Sequence, residues 1–256
     1  MNIGKYLRLR RIVRSDGRTV IIALDHGIAL GPIKGIEDPV LTLKNLLKCN
    51  IDAIMLNRGL LLKAYNVVAG RTGIVLSIGD VKELLDIKSI VKDALKLGAV
   101  ALKVMVLIDD EIEGATVSKL STLSIISNMW GIPLIAEVYP RKSRSLNVIA
   151  KYCRIVSEIG VDLIKTFYTR DKSSFKYVVN ASLSPIVVLG GPKVENIRDL
   201  LAMTKNAVEA GAIGVAYGRN VWQYERPELM VKALNMIVHE GVEVNEALRV
   251  LEGGDA

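Results

Sequence analysis

The amino-acid sequence predicts an α/β fold: a single (β/α)8 TIM barrel with a short N-terminal helix. Three observations carry this. Eight short, β-branched runs alternate with amphipathic helical patterns along the chain. Several of those helices stop on one phrase, seen at Leu97-Gly98-Ala99, Ile159-Gly160-Val161 and Ala210-Gly211-Ala212, with Trp130-Gly131-Ile132 similar. A Gly there takes the left-handed turn that stops a helix and feeds the next strand. Finally, the chain has 256 residues, close to the roughly 250 that one such barrel uses.

The elements follow in order. Residues 1–18 form a basic N-terminal arm with Lys5, Arg8, Arg10, Arg11, Arg14 and Arg18 against the single acid Asp16. Within it Leu7, Leu9, Ile12 and Val13 read as a short amphipathic helix docked on the body. Strands are read at 19–25, 53–56, 73–77, 99–106, 133–139, 161–165, 185–190 and 213–218. Helices are read at 39–49, 87–97, 117–130, 146–159, 173–180, 194–210 and 226–239, while 59–72 gives no clear pattern. A doubly wound sheet is the rival architecture, but no glycine fingerprint follows the first strand. No long linker or low-complexity stretch divides the chain, so residues 1–256 read as one domain.

Composition narrows the function. Half of the residues are apolar, yet no apolar run approaches the ~18–20 residues of a membrane span. Parallel strands buried on both faces account for that content without lipid. Two distant cysteines, Cys49 and Cys153, make no disulfide framework or zinc knuckle, and a reducing, cytoplasmic setting is expected. The arm supplies +5 of the net charge of +7, six cations less one acid. A docked helix is the preferred reading of it over a nucleic-acid-binding arm.

Barrel chemistry collects at the C-terminal ends of strands. Asp25, closing the first strand, can steer a proton or hold a substrate hydroxyl, or simply bond its own turn amides. His26 beside it reads as structural. Glu137 and Tyr139 share one face of the fifth strand by period-two alternation, and Arg141 after them can hold an anion. Lys165 ends the sixth strand in a partly dry place, where an amine becomes nucleophilic. Arg141, Arg170 and Lys193 are its candidate cationic neighbours. Lys103, inside the fourth strand, competes as a buried lysine and can instead pair with an acid. After the last two strands, Gly190-Gly191-Pro192-Lys193 and Gly218-Arg219 let backbone amides and two cations close on a phosphate. No His, Cys and carboxylate cluster points to a metal. The set suits imine chemistry on a phosphorylated ketone.

At these residues the sequence resembles the archaeal-type class I, Schiff-base aldolase family. That family includes fructose-1,6-bisphosphate aldolase and 2-amino-3,7-dideoxy-D-threo-hept-6-ulosonate synthase. The matching pieces are LDHG at 24–27, GP at 31–32, YPR at 139–141, IKTFYT at 164–169, GGPK at 190–193 and GRNVWQ at 218–223. They occur in family order across nearly the whole chain. The resemblance implies Lys165 as the Schiff-base lysine, Tyr139 as acid/base and Asp25 as the assisting carboxylate. It also implies a phosphate site from Gly190, Gly191, Gly218 and Arg219, no cofactor, and a ring-based homo-oligomer, commonly a decamer. There are departures: Glu137 stands where the bisphosphate aldolases tend to have Trp, Leu189 where they tend to have Ser, and Arg170 where Gly is common. The segment Ser77-Ile78-Gly79-Asp80 lacks the usual glycine-rich stretch. Glu137 is expected to repel a nearby phosphate, with Arg170 compensating.

The leading reading is therefore an aldolase for a small phosphorylated sugar, with fructose 1,6-bisphosphate ahead of the heptulosonate reaction. Behind it stand a barrel isomerase using Asp25 and Glu137 as an acid–base pair, and a non-catalytic sugar-phosphate-binding barrel.

Overall fold

The computed structural model describes residues 2–109 and 111–253. Met1 and residues 254–256, the outer limits of the predicted domain, lie outside the described residues. Eight parallel strands close into a barrel in sequence order: β1 (Thr19–Ala23), β2 (Ala53–Asn57), β3 (Gly73–Asp80), β4 (Ala101–Ile108), β5 (Leu134–Pro140), β6 (Leu163–Thr166), β7 (Ile186–Leu189) and β8 (Gly214–Tyr217). β1 pairs with β2 on one side and β8 on the other, which closes the ring.

Twelve α-helices are described: α1 (Ile3–Leu9), α2 (Gly27–Leu30), α3 (Pro39–Leu46), α4 (Arg58–Val68), α5 (Ile87–Lys96), α6 (Gly114–Met129), α7 (Leu146–Glu158), α8 (Lys172–Ala181), α9 (Ile197–Glu209), α10 (Arg219–Trp222), α11 (Pro227–Asn235) and α12 (Val244–Leu251). The patternless stretch holds all of α4 but its first residue, Arg58. The helix read to residue 239 ends instead in a π-helical segment, Met236–Glu240, and a turn at Gly241 leads into α12, which the sequence reading did not include. No described helix is long and apolar enough to cross a membrane.

Alternation along each strand divides the core. Val20, Ile22, Ile54 and Leu56 pack outward on the helices. Ile21, Ala23, Met55, Val75, Ala101, Ile135, Leu163, Val187 and Ala216 fill the barrel interior. Both faces are buried, so the strands read as continuous apolar runs.

The basic arm closes the N-terminal end of the barrel. Ile12 is 1% exposed and packs into the interior cluster with Leu9 and Val13 against it. Thr19 Oγ1 donates to the Ile12 carbonyl at 2.5 Å. The cations are engaged locally: Lys5 with Asp162 at 2.8 Å, Arg8 with the Gly131 carbonyl at 2.8 Å, and Arg14 with Asp52. The arm is a docked plug, and three of its six cations answer carboxylates and carbonyls elsewhere in the chain.

Candidate active site

Period-two alternation that places Ala101, Ile135 and Leu163 inside the barrel carries inward to Lys103, Glu137 and Lys165, two residues further along each strand. Glu137 is in register with Lys165, and Lys103 with Ser77. These side chains, with Asp25 from the loop after β1, meet on the floor of a cavity of about 600 Å³ at the C-terminal mouth. A cavity of that size suits a small metabolite.

Four charges are buried on that floor. Glu137 bridges the two lysines, with Oε1 2.9 Å from Lys165 Nζ and Oε2 2.6 Å from Lys103 Nζ. Lys103 Nζ also lies 3.0 Å from Asp25 Oδ2 and 3.3 Å from Ser77 Oγ. Two carboxylates and two ammoniums balance. Burial alone would raise the Asp25 carboxyl, but Lys103 and then Lys165 hold it well below the usual carboxylate range. Glu137 is likewise lowered against its burial, chiefly by Lys165 and then Lys103. Burial opposes the charge on Lys103, and Asp25 with Glu137 overcomes it, so this ammonium keeps its proton. The expected repulsion between Glu137 and a phosphate is thereby answered: the carboxylate is neutralised in place by two lysines, and Arg170 is exposed and away from the cavity walls.

Around the floor stand the remaining groups. Asn57 Nδ2 donates to the Asp25 carbonyl at 2.7 Å and fixes the turn after β1. Tyr139 lines the cavity, its ring edge-on to Phe167 at 4.8 Å. Arg144 reaches the Tyr139 hydroxyl at 3.4 Å and lies over the Phe167 ring. His26 also lines the mouth, packed edge-on against Trp222. Burial first, then Lys165 and Arg219, lowers its pKa, so it is neutral.

The β7–β8 side of the cavity is lined by Gly190, Gly191, Gly218 and Arg219. Arg219 Nε is buried without a hydrogen-bond partner, and a guanidinium so placed has a donor to offer an anion. Gly218 has no room for a side chain: a Cβ there would sit 2.4 Å from His26 Cε1 and 2.8 Å from the Ala23 carbonyl. Asn220 ties the two loops together. Its Nδ2 donates to the Gly190 carbonyl at 2.7 Å, and its Oδ1 accepts from Val194 N at 2.8 Å.

Of the residues singled out from sequence, Asp25, Tyr139, Lys165, Gly190, Gly191, Gly218 and Arg219 line this one cavity. Arg141 and Lys193 do not. Arg141 is exposed and forms a two-point pair with Asp109 at 2.8 and 2.6 Å. Lys193 donates to the Gln223 carbonyl at 3.0 Å. Lys103 shares Glu137 with Lys165 and pairs with Asp25, the pairing with an acid that the sequence allowed it, whereas the cationic neighbours expected for Lys165 were Arg141, Arg170 and Lys193. The sequence reading missed Asn57 and Arg144 altogether, and it placed Asn220 in the loop after strand eight without giving it a role of its own. Asn220 lies inside the GRNVWQ piece, where an Asn beside a glycine turn was the available signal.

Fold and site define a class: a (β/α)8 barrel with a lysine–carboxylate cluster at its C-terminal mouth and a wall of glycines with Arg219 beside it. The sequence profile of the DeoC/LacD family aldolases matches residues 19–224, and the chain belongs to that family. It is 35% identical to an uncharacterized aldolase of Saccharolobus solfataricus, over 98% of this chain and 100% of that one. It is 33% identical to 2-amino-3,7-dideoxy-D-threo-hept-6-ulosonate synthase 1 of Archaeoglobus fulgidus, over 96% and 95% of the two chains. The crystal structure of an archaeal fructose 1,6-bisphosphate aldolase superposes with a TM-score of 0.80 at 27% identity, covering 93% of this chain and 100% of that one.

Proposed function

We propose that the protein is a class I aldolase that makes or breaks a carbon–carbon bond in a ketose 1-phosphate through an imine on Lys165. The observation that carries this is a lysine amine held 2.9 Å from a buried carboxylate, in the same cavity as a glycine and arginine wall suited to a phosphate.

The phosphate rests on Gly190, Gly191, Gly218 and Arg219, which brings the ketone carbon to Lys165. The Lys165 ammonium first gives one proton to Glu137 Oε1; the freed amine then attacks that carbon, and a second nitrogen proton passes to the former carbonyl oxygen. Glu137 returns its proton to the resulting hydroxyl, which leaves as water while the nitrogen lone pair closes the C=N bond. Lys103, kept charged by Asp25, holds Glu137 in place and offsets its charge. The protonated imine then accepts the electron pair of the breaking C3–C4 bond. Tyr139, acting as the phenolate, takes the proton of the C4 hydroxyl, the aldehyde fragment departs, and the phenol so formed hands that proton to the enamine carbon. Hydrolysis then frees the ketone fragment. Asp25 thus acts through Lys103, and Glu137 is the proton carrier in direct contact with the reacting nitrogen.

Two substrates fit this reading. The solved relative named a fructose 1,6-bisphosphate aldolase supports cleavage to glycerone phosphate and glyceraldehyde 3-phosphate. The relative named a heptulosonate synthase supports a transaldolase step on a ketose 1-phosphate.

Borohydride added with glycerone phosphate tests the chemistry. A reduced adduct is expected on the peptide carrying Lys165 and is absent in Lys165→Met. An adduct on Lys103, or cleavage that continues without any trapping, overturns the assignment.

A further inference from the structure

The cavity has a second end, across the mouth from the phosphate wall, formed by the ends of β3 and β4. There the pairing of these strands is irregular. Ser77 is in register with Lys103, and Asp80 with Met105, so Ile78 and Gly79 together face the single residue Val104. Without that extra residue, Asp80 would fall on the outward side of β3, because Ser77 points inward to Lys103. The bulge reverses this and turns Asp80 to the cavity, as bulges beside sites do. Gly79 supplies the backbone for it at φ +87°. Asp80 Oδ1 then accepts from Lys82 N and starts the 3-10 turn Val81–Glu83, which brings Glu83 to the same rim.

This end therefore presents carboxylates. Among the described residues that line the cavity, the cations are Lys103 and Lys165 on the floor and Arg219 at the phosphate wall. Arg141, the expected holder of a second anion, is outside the lining and occupied by Asp109. A carboxylate accepts hydrogen bonds and offers none to a phosphate, so it selects donors and repels anions.

We infer that Asp80 and Glu83 set the substrate class at this end. The fragment farther from the phosphate wall bears no phosphoryl group and presents hydrogen-bond donors, hydroxyls or an ammonium. This rests on the proposed aldolase reading for the orientation of the sugar, and of the two substrates named there it selects the ketose monophosphate over fructose 1,6-bisphosphate.

Hexitol 1-phosphate and hexitol 1,6-bisphosphate lack the carbonyl, so calorimetry on the full chain reads their binding without chemistry. The monophosphate is expected to bind at least about tenfold tighter. Asp80→Asn, which preserves the turn-capping oxygen, and Glu83→Gln, which alters an exposed rim residue, should each narrow that gap. Adding a terminal ammonium to the monophosphate should tighten binding to the parent chain more than replacing the same hydroxyl by hydrogen. Equal binding of the two phosphates, tighter binding of the bisphosphate, or a gap unchanged in both variants overturns the inference. Failure of the imine reading appears separately, as absence of borohydride trapping at Lys165.

Discussion

Replacing Glu137 by Gln is the sharpest perturbation of the floor. Gln keeps the shape and offers one oxygen, but turns an NH2 group toward one of the two lysines. At an effective dielectric of about 20, charges 2.9 and 2.6 Å apart attract by about 6 kcal/mol each before desolvation. Desolvation offsets most of that, and removing one partner of a buried pair costs a net ~3–5 kcal/mol. For a chain of this size the melting temperature should fall by roughly 2–4 °C per kcal/mol, so by about 6–20 °C. The chemistry should suffer more, since a positioned acid–base group contributes about 10²–10⁴-fold. The assay is the initial rate of borohydride trapping with glycerone phosphate beside the rate of aldol cleavage, both well below the variant's melting temperature. Both rates should drop together, because imine formation precedes cleavage. A variant that traps and cleaves within about threefold of the parent refutes the proton-carrier role. A lowered melting temperature with unchanged rates would leave Glu137 a purely structural neutraliser.

Three further perturbations test the surrounding frame. Gly218→Ala places a methyl 2.4 Å from His26 Cε1 and should weaken glycerone phosphate binding by tenfold or more, while overpacking costs about 1–3 kcal/mol of stability; calorimetry and thermal melting read the two. Ile12→Ala empties the plug at the barrel's N-terminal end and should cost ~3 kcal/mol, or roughly 6–12 °C in melting temperature, and a shift under about 2 °C would mean the arm is not part of the core. His239 in the π segment has its Nε2 2.9 Å from Asp52 and its Nδ1 2.6 Å from Asp16; burial lowers its pKa, but the two carboxylates outweigh that and raise it above 6.5. Its contribution is then complete below the unfolded value and disappears as pH rises through the folded one. The melting-temperature advantage of the parent over His239→Gln should be larger near pH 6 than near pH 9, and the reverse order would refute the link.

The barrel was readable because each unit repeats one local code. A β-branched run, an amphipathic helix and a glycine stop recur often enough that small errors at strand ends leave the topology intact. Two helices escaped for want of boundary signals: α4 follows β2 with no intervening loop, and α12 comes after the eighth unit, past a turn at Gly241. At the site, alternation left open whether the pair Glu137 and Tyr139 faced inward. The strand register decides it, since Glu137 pairs with Lys165 and both follow interior residues. Arg141 was misjudged for a related reason. It follows β5 in sequence, but its backbone amide bonds to the Ile108 carbonyl and its guanidinium meets Asp109 beyond β4, a contact that no spacing within one strand encodes. Asp80 shows the same limit, because one extra residue in β3 reverses which side of the sheet it faces.

The two ends of the barrel use charge in opposite ways. At the N-terminal end, Lys5, Arg8 and Arg14 each meet a carboxylate or carbonyl at the base of the strands, and these three contacts help attach the arm. At the C-terminal end, four ionised groups are buried together with their charges cancelled. A lysine nucleophile needs a base that takes its proton before it attacks, and a buried carboxylate does that well only if its own charge is balanced in the resting state. Lys103 supplies the balance for Glu137 and Asp25 supplies it for Lys103, so the chain of contacts Asp25–Lys103–Glu137–Lys165 transmits each charge to the next. The second lysine bonds the same carboxylate and lowers its basicity, so under the proposed mechanism its part is to keep Glu137 ionised and aligned on Lys165 in the resting state.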